Sequence, residues 1–199
     1  PKALLVTGTL DEAIMTSSGM IYDQLKRGLS PEVIGYSQGS ITTARALYRA
    51  ATMLMIMDGM SYEQAFEKLR NVRITTLAPA IKTFPDGPEY VHVLNGHDYI
   101  SFVFGLDSGN MLGEYFYGDS KAMPDPRANP GKGAQAIRFS EVGEGRTWTS
   151  PIKSAHEVDL YIDHMPRQFG SGTIAYSNAK APTARYDNGD GTPISGRMK

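Results

Sequence analysis

Glu32-Val33-Ile34-Gly35-Tyr36-Ser37-Gln38-Gly39 is the stretch on which the reading of this chain turns. Residues 32–36 are mostly apolar and favour extended backbone, which predicts a strand. From Gln38 the composition changes to strong helix formers, Ala44, Arg45, Ala46, Leu47, Arg49, Ala50 and Ala51, and the run stops at Asp58-Gly59. A strand therefore feeds a helix with no linker, and Ser37 stands at the junction. Gly35 and Gly39 flank it two residues to either side, as expected where a serine is forced into a strained turn and nearby side chains would clash.

Outward from this junction, helices and strands alternate. Ala3 to Thr7 reads as a strand closed by Gly8-Thr9, and residues 12–27 place Ile14, Met20, Ile21 and Leu25 at helical spacing before Gly28. Ser61-Tyr62-Glu63-Gln64 has capping-box spacing and opens a short helix to Arg70. Val72 to Leu77 and Tyr90 to Leu94 are further strands, separated by a loop rich in proline. This alternation predicts the α/β class, a mainly parallel sheet with flanking helices, with functional groups beyond the carboxyl ends of the strands. The loops to watch are Gly8-Thr9, Tyr36-Ser37-Gln38 and Asn95-Gly96-His97-Asp98.

Residues 105–151 are rich in glycine and proline and carry Tyr115, Phe116, Tyr117 and Trp148, which predicts a long covering excursion, a lid, instead of a second domain. Residues 151–165 return to a helical pattern stopped by Pro166. The expected division is one domain over residues 1–169 and an extended tail over 170–199. The tail is turn-like in composition, and its order would rest on packing against its own domain, a second copy or a larger assembly. Asp187 to Gly191 resembles the start of a calcium loop but lacks the closing bidentate glutamate, so it reads as a turn.

Composition excludes several function classes. In 199 residues, 20 Lys and Arg oppose 21 Asp and Glu for a net charge of −1, so no field draws the chain to nucleic acid. A chain of this length buries roughly 70% of its unfolded surface and needs no staple. The absence of cysteine removes a disulfide framework, a thiolate zinc site and a cysteine nucleophile, and leaves the compartment open. The longest apolar stretch, Ala50 to Met57, is too short for a transmembrane segment. Pro1-Lys2-Ala3-Leu4-Leu5-Val6 leads directly into the first strand, and no signal peptide is expected in this chain.

A serine nucleophile requires a base and a carboxylate that orients it. The bases on offer are His92, His97, His156 and His164. His92 lies within a strand and reads as a core residue, and His97 adjoins Asp98. His156 and His164 lie near the two ends of the last predicted helix, and His156, at its opening, fits better. With Asp98 just past a late strand, the order is Ser37, Asp98, His156. The N–H groups of Gln38 and Thr9 are the expected oxyanion donors. Neither a metal nor an organic cofactor is needed. As bland alternatives, Ser37 would be a small turn residue, Asp98 a helix cap and His156 a solvent-facing side chain. Met53, Met55, Met57 and Met60 are expected mostly in the core, with a lipid-contacting surface as the alternative.

Gly35-Tyr36-Ser37-Gln38-Gly39 resembles the nucleophile elbow of cutinases and the related PE-PPE-type serine hydrolases. Asn95 to Ser101 is similar to the acid loop of lipase-like hydrolases, and Val6-Thr7-Gly8-Thr9 to their oxyanion strand and turn. The resemblance spans about residues 3–165, with only the elbow specific, and implies a reduced α/β-hydrolase. It further implies a serine hydrolase of carboxylic esters, including lipid acyl esters, working through an acyl-enzyme. Three departures stand out: cutinases carry disulfides; their histidine follows the acid closely, whereas His156 comes after a long excursion, more like a class 3 lipase; and only one expected strand precedes the elbow strand, which is why the sheet is expected to be reduced. The rival expectations are an acyltransferase on the same three residues and a catalytically silent subunit of a larger particle such as a virion.

Overall fold

A computed structural model describes residues 10–106, 128–139, 155–168 and 175–176. Its centre is a four-stranded sheet of β1 (Glu32–Tyr36), β2 (Arg73–Leu77), β3 (Glu89–Asn95) and β4 (Gln135–Phe139). The strands lie in the order β1-β2-β3-β4, every neighbouring pair parallel. Around them run α1 (Leu10–Lys26), α2 (Gln38–Met57), α3 (Tyr62–Lys68), α4 (Tyr99–Phe104) and α5 (Val158–Ile162). A short antiparallel pair, β5 (Pro166–Gln168) and β6 (Ala175–Tyr176), follows α5.

The sequence explains which strands are central. β2 and β3 are buried at all but their first residue, as strands covered on both faces must be, and they supply Ile74, Leu77, Tyr90, Val91, Val93 and Leu94 to the core. β1, with Glu32 and Ile34 exposed, pairs only with β2 among the described strands. The polar groups that β2 and β3 bury are matched to each other: Thr76 Oγ1 lies 2.7 Å from His92 Nδ1, and His92 Nε2 donates to the Pro130 carbonyl at 2.8 Å. Taking the imidazole from water lowers its pKa from 6.5 to about 4, so it stays neutral.

The two sheet faces carry separate apolar layers. On one, α1 turns Ile21, Tyr22 and Leu25 inward and α2 contributes Ala44, Ala46, Leu47, Ala50, Ala51 and Leu54. The alanines let α2 approach closely while Leu47 and Leu54 fill the gaps, each buried leucine contributing about 1.5–3 kcal/mol. On the other face Leu77, Val91, Val93, Ile137 and Phe139 pack with Tyr161 of α5. α3 has the expected capping box, Ser61 Oγ accepting from Gln64 N–H at 3.2 Å and Gln64 Oε1 from Ser61 N–H at 2.9 Å. Met53, Met55 and Met60 pack against the core, as expected, while Met57 is exposed.

Three expectations change. The stretch 105–151 is not one excursion, because residues 135–139 form β4 beside β3, in register Val91 with Gln135 and Asn95 with Phe139. Burial on the sheet, not local pattern, makes this strand: Gln135 and Arg138 break a strong apolar signature. The helical pattern read over residues 151–165 is interrupted: Ala155 is helical, the chain bends at His156, and Glu157 is the N-cap residue of a separate helix from Val158 to Ile162, while residues 151–154 lie outside the described residues. Pro166 ends the helical stretch and also opens β5, whose partner β6 lies within the stretch read as a tail. The strand expected at residues 3–7, the turn at 187–191, lid residues 107–127 and 140–151, and the tail apart from 175–176 lie outside the described residues.

Candidate active site

The parallel register brings the carboxyl ends of β1, β2 and β3 to one edge, Tyr36 beside Leu77 and Leu77 beside Val93. Ser37 continues the ladder for one residue, its N–H donating to the Leu77 carbonyl at 2.9 Å, and then the chain turns into α2. The turn forces Ser37 to φ 51° and ψ −119°, a conformation that costs a residue with a Cβ about 1–3 kcal/mol. Gly35 is needed at this bend: a Cβ there would lie 2.9 Å from Thr43 Oγ1 and 3.0 Å from the Gly39 carbonyl oxygen. At Gly39 a Cβ meets nothing within 4 Å among the described residues, so the matching expectation finds no support from them.

Ser37 is the N-cap residue of α2, yet its hydroxyl makes no capping bond to the helix. It meets His156 instead, with Oγ 2.8 Å from Nε2. His156 Nδ1 in turn lies 2.7 Å from Asp98 Oδ2. Asp98 is fully buried, whereas the His156 side chain keeps 20% of its surface exposed, so the imidazole sits between a sealed carboxylate and the open end of the sheet.

Asp98 is both the cap and the acid that the sequence offered as alternatives. Oδ1 accepts from the N–H groups of Ile100 at 2.9 Å and Ser101 at 3.4 Å, opening α4. Oδ2 accepts from the Ser101 hydroxyl at 3.1 Å, the Tyr161 hydroxyl and His156. A carboxyl used as an acceptor by this many donors requires Nδ1 of His156 to carry the proton, which leaves the Nε2 lone pair facing Ser37.

Several side chains that the sequence reading passed over hold this arrangement. Asn95 Nδ2 donates to the Ala155 carbonyl at 3.0 Å and the Tyr36 hydroxyl donates to the His156 carbonyl, so β3 and β1 both grip the backbone carrying the imidazole. The Tyr36 ring lies 5.3 Å from the His156 ring. Burial raises the pKa of Tyr36, with the charges of Asp98 and Glu157 acting the same way, and burial next to Asp98 raises that of Tyr161 well above its usual range. The only hint in the sequence was that Tyr161 sits among the apolar residues of a helix.

The other histidines lie elsewhere. His92 is the buried partner of Thr76, the His97 N–H donates to Asn95 Oδ1 at 3.2 Å, and His164 stacks on Phe139 with ring centres 4.0 Å apart. Gln38 is the first residue of α2, where helix N–H groups lack intrahelical acceptors and the dipole is positive. Thr9 lies outside the described residues. Among the described residues no group of His, Asp and Glu is arranged to hold a metal ion, and no helix is long and apolar enough to cross a membrane. A cleft of about 840 Å³ lined by Asp58, Met60, Glu63 and Glu67 lies at the far end of α2, a helix of 20 residues and hence roughly 30 Å from Ser37. Comparison with family models, with curated proteins and with solved structures finds no match.

Proposed function

We propose that this protein is a serine hydrolase of carboxylic esters, built as a reduced α/β-hydrolase, with Ser37 as nucleophile, His156 as general base and Asp98 as the carboxylate that orients it. The observation that carries this reading is the unbroken relay from Ser37 Oγ through the two nitrogens of His156 to Asp98 Oδ2, at 2.8 and 2.7 Å. Supporting it are the strained serine between β1 and α2, and the chain order Ser, Asp, His, with the three residues following β1, β3 and β4.

In this mechanism Ser37 Oγ attacks the ester carbonyl as its proton passes to His156 Nε2. Asp98 stabilises the resulting imidazolium through Nδ1–H and holds the ring in line. The first N–H groups of α2, Gln38 foremost, face the developing oxyanion, and Thr9 N–H is the proposed second donor. The imidazolium then returns its proton to the leaving alcohol, and the acyl-enzyme remains on Ser37. Water, deprotonated by the same nitrogen, releases the acid and restores the serine. Lipid acyl esters belong to the substrate class proposed.

The test is hydrolysis of p-nitrophenyl butyrate and p-nitrophenyl palmitate by the native protein and by Ser37→Ala and His156→Gln. The expected result is turnover by the native protein that both substitutions abolish while the urea midpoint stays high. Turnover that survives Ser37→Ala would place the chemistry elsewhere. A folded native protein inert toward both esters would remove the esterase reading.

A further inference from the structure

We propose that Tyr161 is a positioning residue of this site, its hydroxyl acting on Asp98 and through it on His156. The inference rests on the relay read above as catalytic, and it concerns how tightly Asp98 holds the imidazole.

The hydroxyl is engaged by polar groups alone: it donates to Asp98 and meets the Ser101 hydroxyl. The Tyr161 ring packs in the apolar layer, edge-on to Phe139 at 5.2 Å between ring centres and 6.3 Å from Tyr36, and a phenylalanine would satisfy that packing equally well. What a phenylalanine lacks is the bond to Asp98 Oδ2, the same oxygen that accepts from His156 Nδ1. Ser101 Oγ is the third donor to this oxygen, at 3.1 Å. Oδ1, by contrast, serves the backbone N–H groups of α4. The carboxylate is thus divided into a structural oxygen and a functional one, and two side-chain hydroxyls from α4 and α5 converge on the functional one.

Two consequences follow from charge. Hydroxyls on Oδ2 draw away part of the negative charge that Nδ1–H would otherwise feel, so they moderate the basicity Asp98 gives to His156. They also fix the carboxylate in the plane of the ring, since an oxygen held from three directions has little freedom left. The ionisable groups facing the imidazole and its carboxylate among the described residues are Asp98 from the β3–α4 loop, Tyr36 from β1, Tyr161 from α5 and Glu157 beside His156 itself. With Tyr161 buried beside a carboxylate, its phenol stays protonated and remains a donor across the working range.

The experiment compares native protein, Tyr161→Phe and Ser101→Ala by two measurements. In the first, the proton on His156 Nδ1 is observed by NMR without substrate and assigned by its loss in His156→Gln. Removing either hydroxyl is expected to move this resonance further downfield as the Nδ1–H bond to Oδ2 strengthens. In the second, ester hydrolysis is followed against pH: the acid limb of kcat/KM is expected to move to higher pH, with kcat down about tenfold and KM unchanged. Unchanged resonance position in both variants, or an unmoved acid limb, would overturn the positioning role. If Tyr161→Phe does not fold, Ser101→Ala carries the same expectation at the same oxygen. A downfield shift in a protein that hydrolyses no ester would uphold the inference and remove the esterase reading, so the two fail separately.

Discussion

Ser37 holds φ 51° and ψ −119° although its hydroxyl makes no capping bond to α2 that would stabilise the turn. The strain places Oγ against His156, so stability and function oppose each other at this residue. Ser37→Gly is expected to raise the unfolding free energy by about 1 kcal/mol in urea while abolishing ester hydrolysis, because glycine enters this conformation freely. Ser37→Ala keeps the Cβ and should leave stability unchanged within about 0.5 kcal/mol. For Asp98, Asn in its place retains a carbonyl oxygen for capping α4 but presents an amide to the imidazole. Turnover should fall by about ten-thousandfold as the wrong tautomer forms, and a loss under about tenfold would show that Asp98 does not orient the base. These roles were partly legible in the sequence: Ser37 announced itself by the change from strand to helix formers, and Asp98 by its place past β3. Tyr161 did not, because a tyrosine on an apolar helix face looks like core until the partner of its hydroxyl is known.

The strand-to-helix element from β1 to α2 owes its sharpness to a single close approach. A Cβ at Gly35 would press on Thr43 Oγ1 and on the backbone of Gly39, whereas one at Gly39 would meet none of the described residues. Gly35→Ala should therefore destabilise by about 1–3 kcal/mol, and Gly39→Ala should be neutral or stabilising by up to about 1 kcal/mol, read from paired urea titrations. Equal losses at both positions would contradict this geometry. The β1–α2 unit could be read from sequence because its two halves differ in propensity within one residue. β4 could not: it is five residues long, follows Gly131-Lys132-Gly133, and is a strand because β3 offers it a ladder. His156 reads as helical for the opposite reason, since Ala155, Val158, Leu160 and Tyr161 are spaced helically, whereas the chain bends at His156, between helical Ala155 and α5, where Asn95 and Tyr36 bond the carbonyls of 155 and 156.

Across the whole molecule, the parallel sheet collects three residues that follow β1, β3 and β4 and are 61 and 58 positions apart in the chain, Ser37 to Asp98 and Asp98 to His156. The sheet that gathers them has a titratable group at its centre. His92 is neutral when folded, its pKa lowered from 6.5 to about 4 by burial. Between these values the unfolded chain binds a proton that the native protein does not, so stability falls as pH drops from about 6.5 to about 4 and levels off below. The accumulated loss from this group is about 3 kcal/mol, and His92→Gln, which can still bond Thr76 and the Pro130 carbonyl, should flatten that part of the urea midpoint against pH. An identical slope in both proteins would assign acid sensitivity to other groups.

The central claim is that the relay activates Ser37, and covalent labelling tests it without any assumption about the natural substrate. The native protein is incubated with a fluorophosphonate, its intact mass is measured, and the modified peptide is sequenced. The expected outcome is one adduct per chain, on Ser37, formed quickly in the native protein, far more slowly in His156→Gln and not at all in Ser37→Ala. A folded native protein that takes up no label, or takes it up elsewhere, would contradict the account.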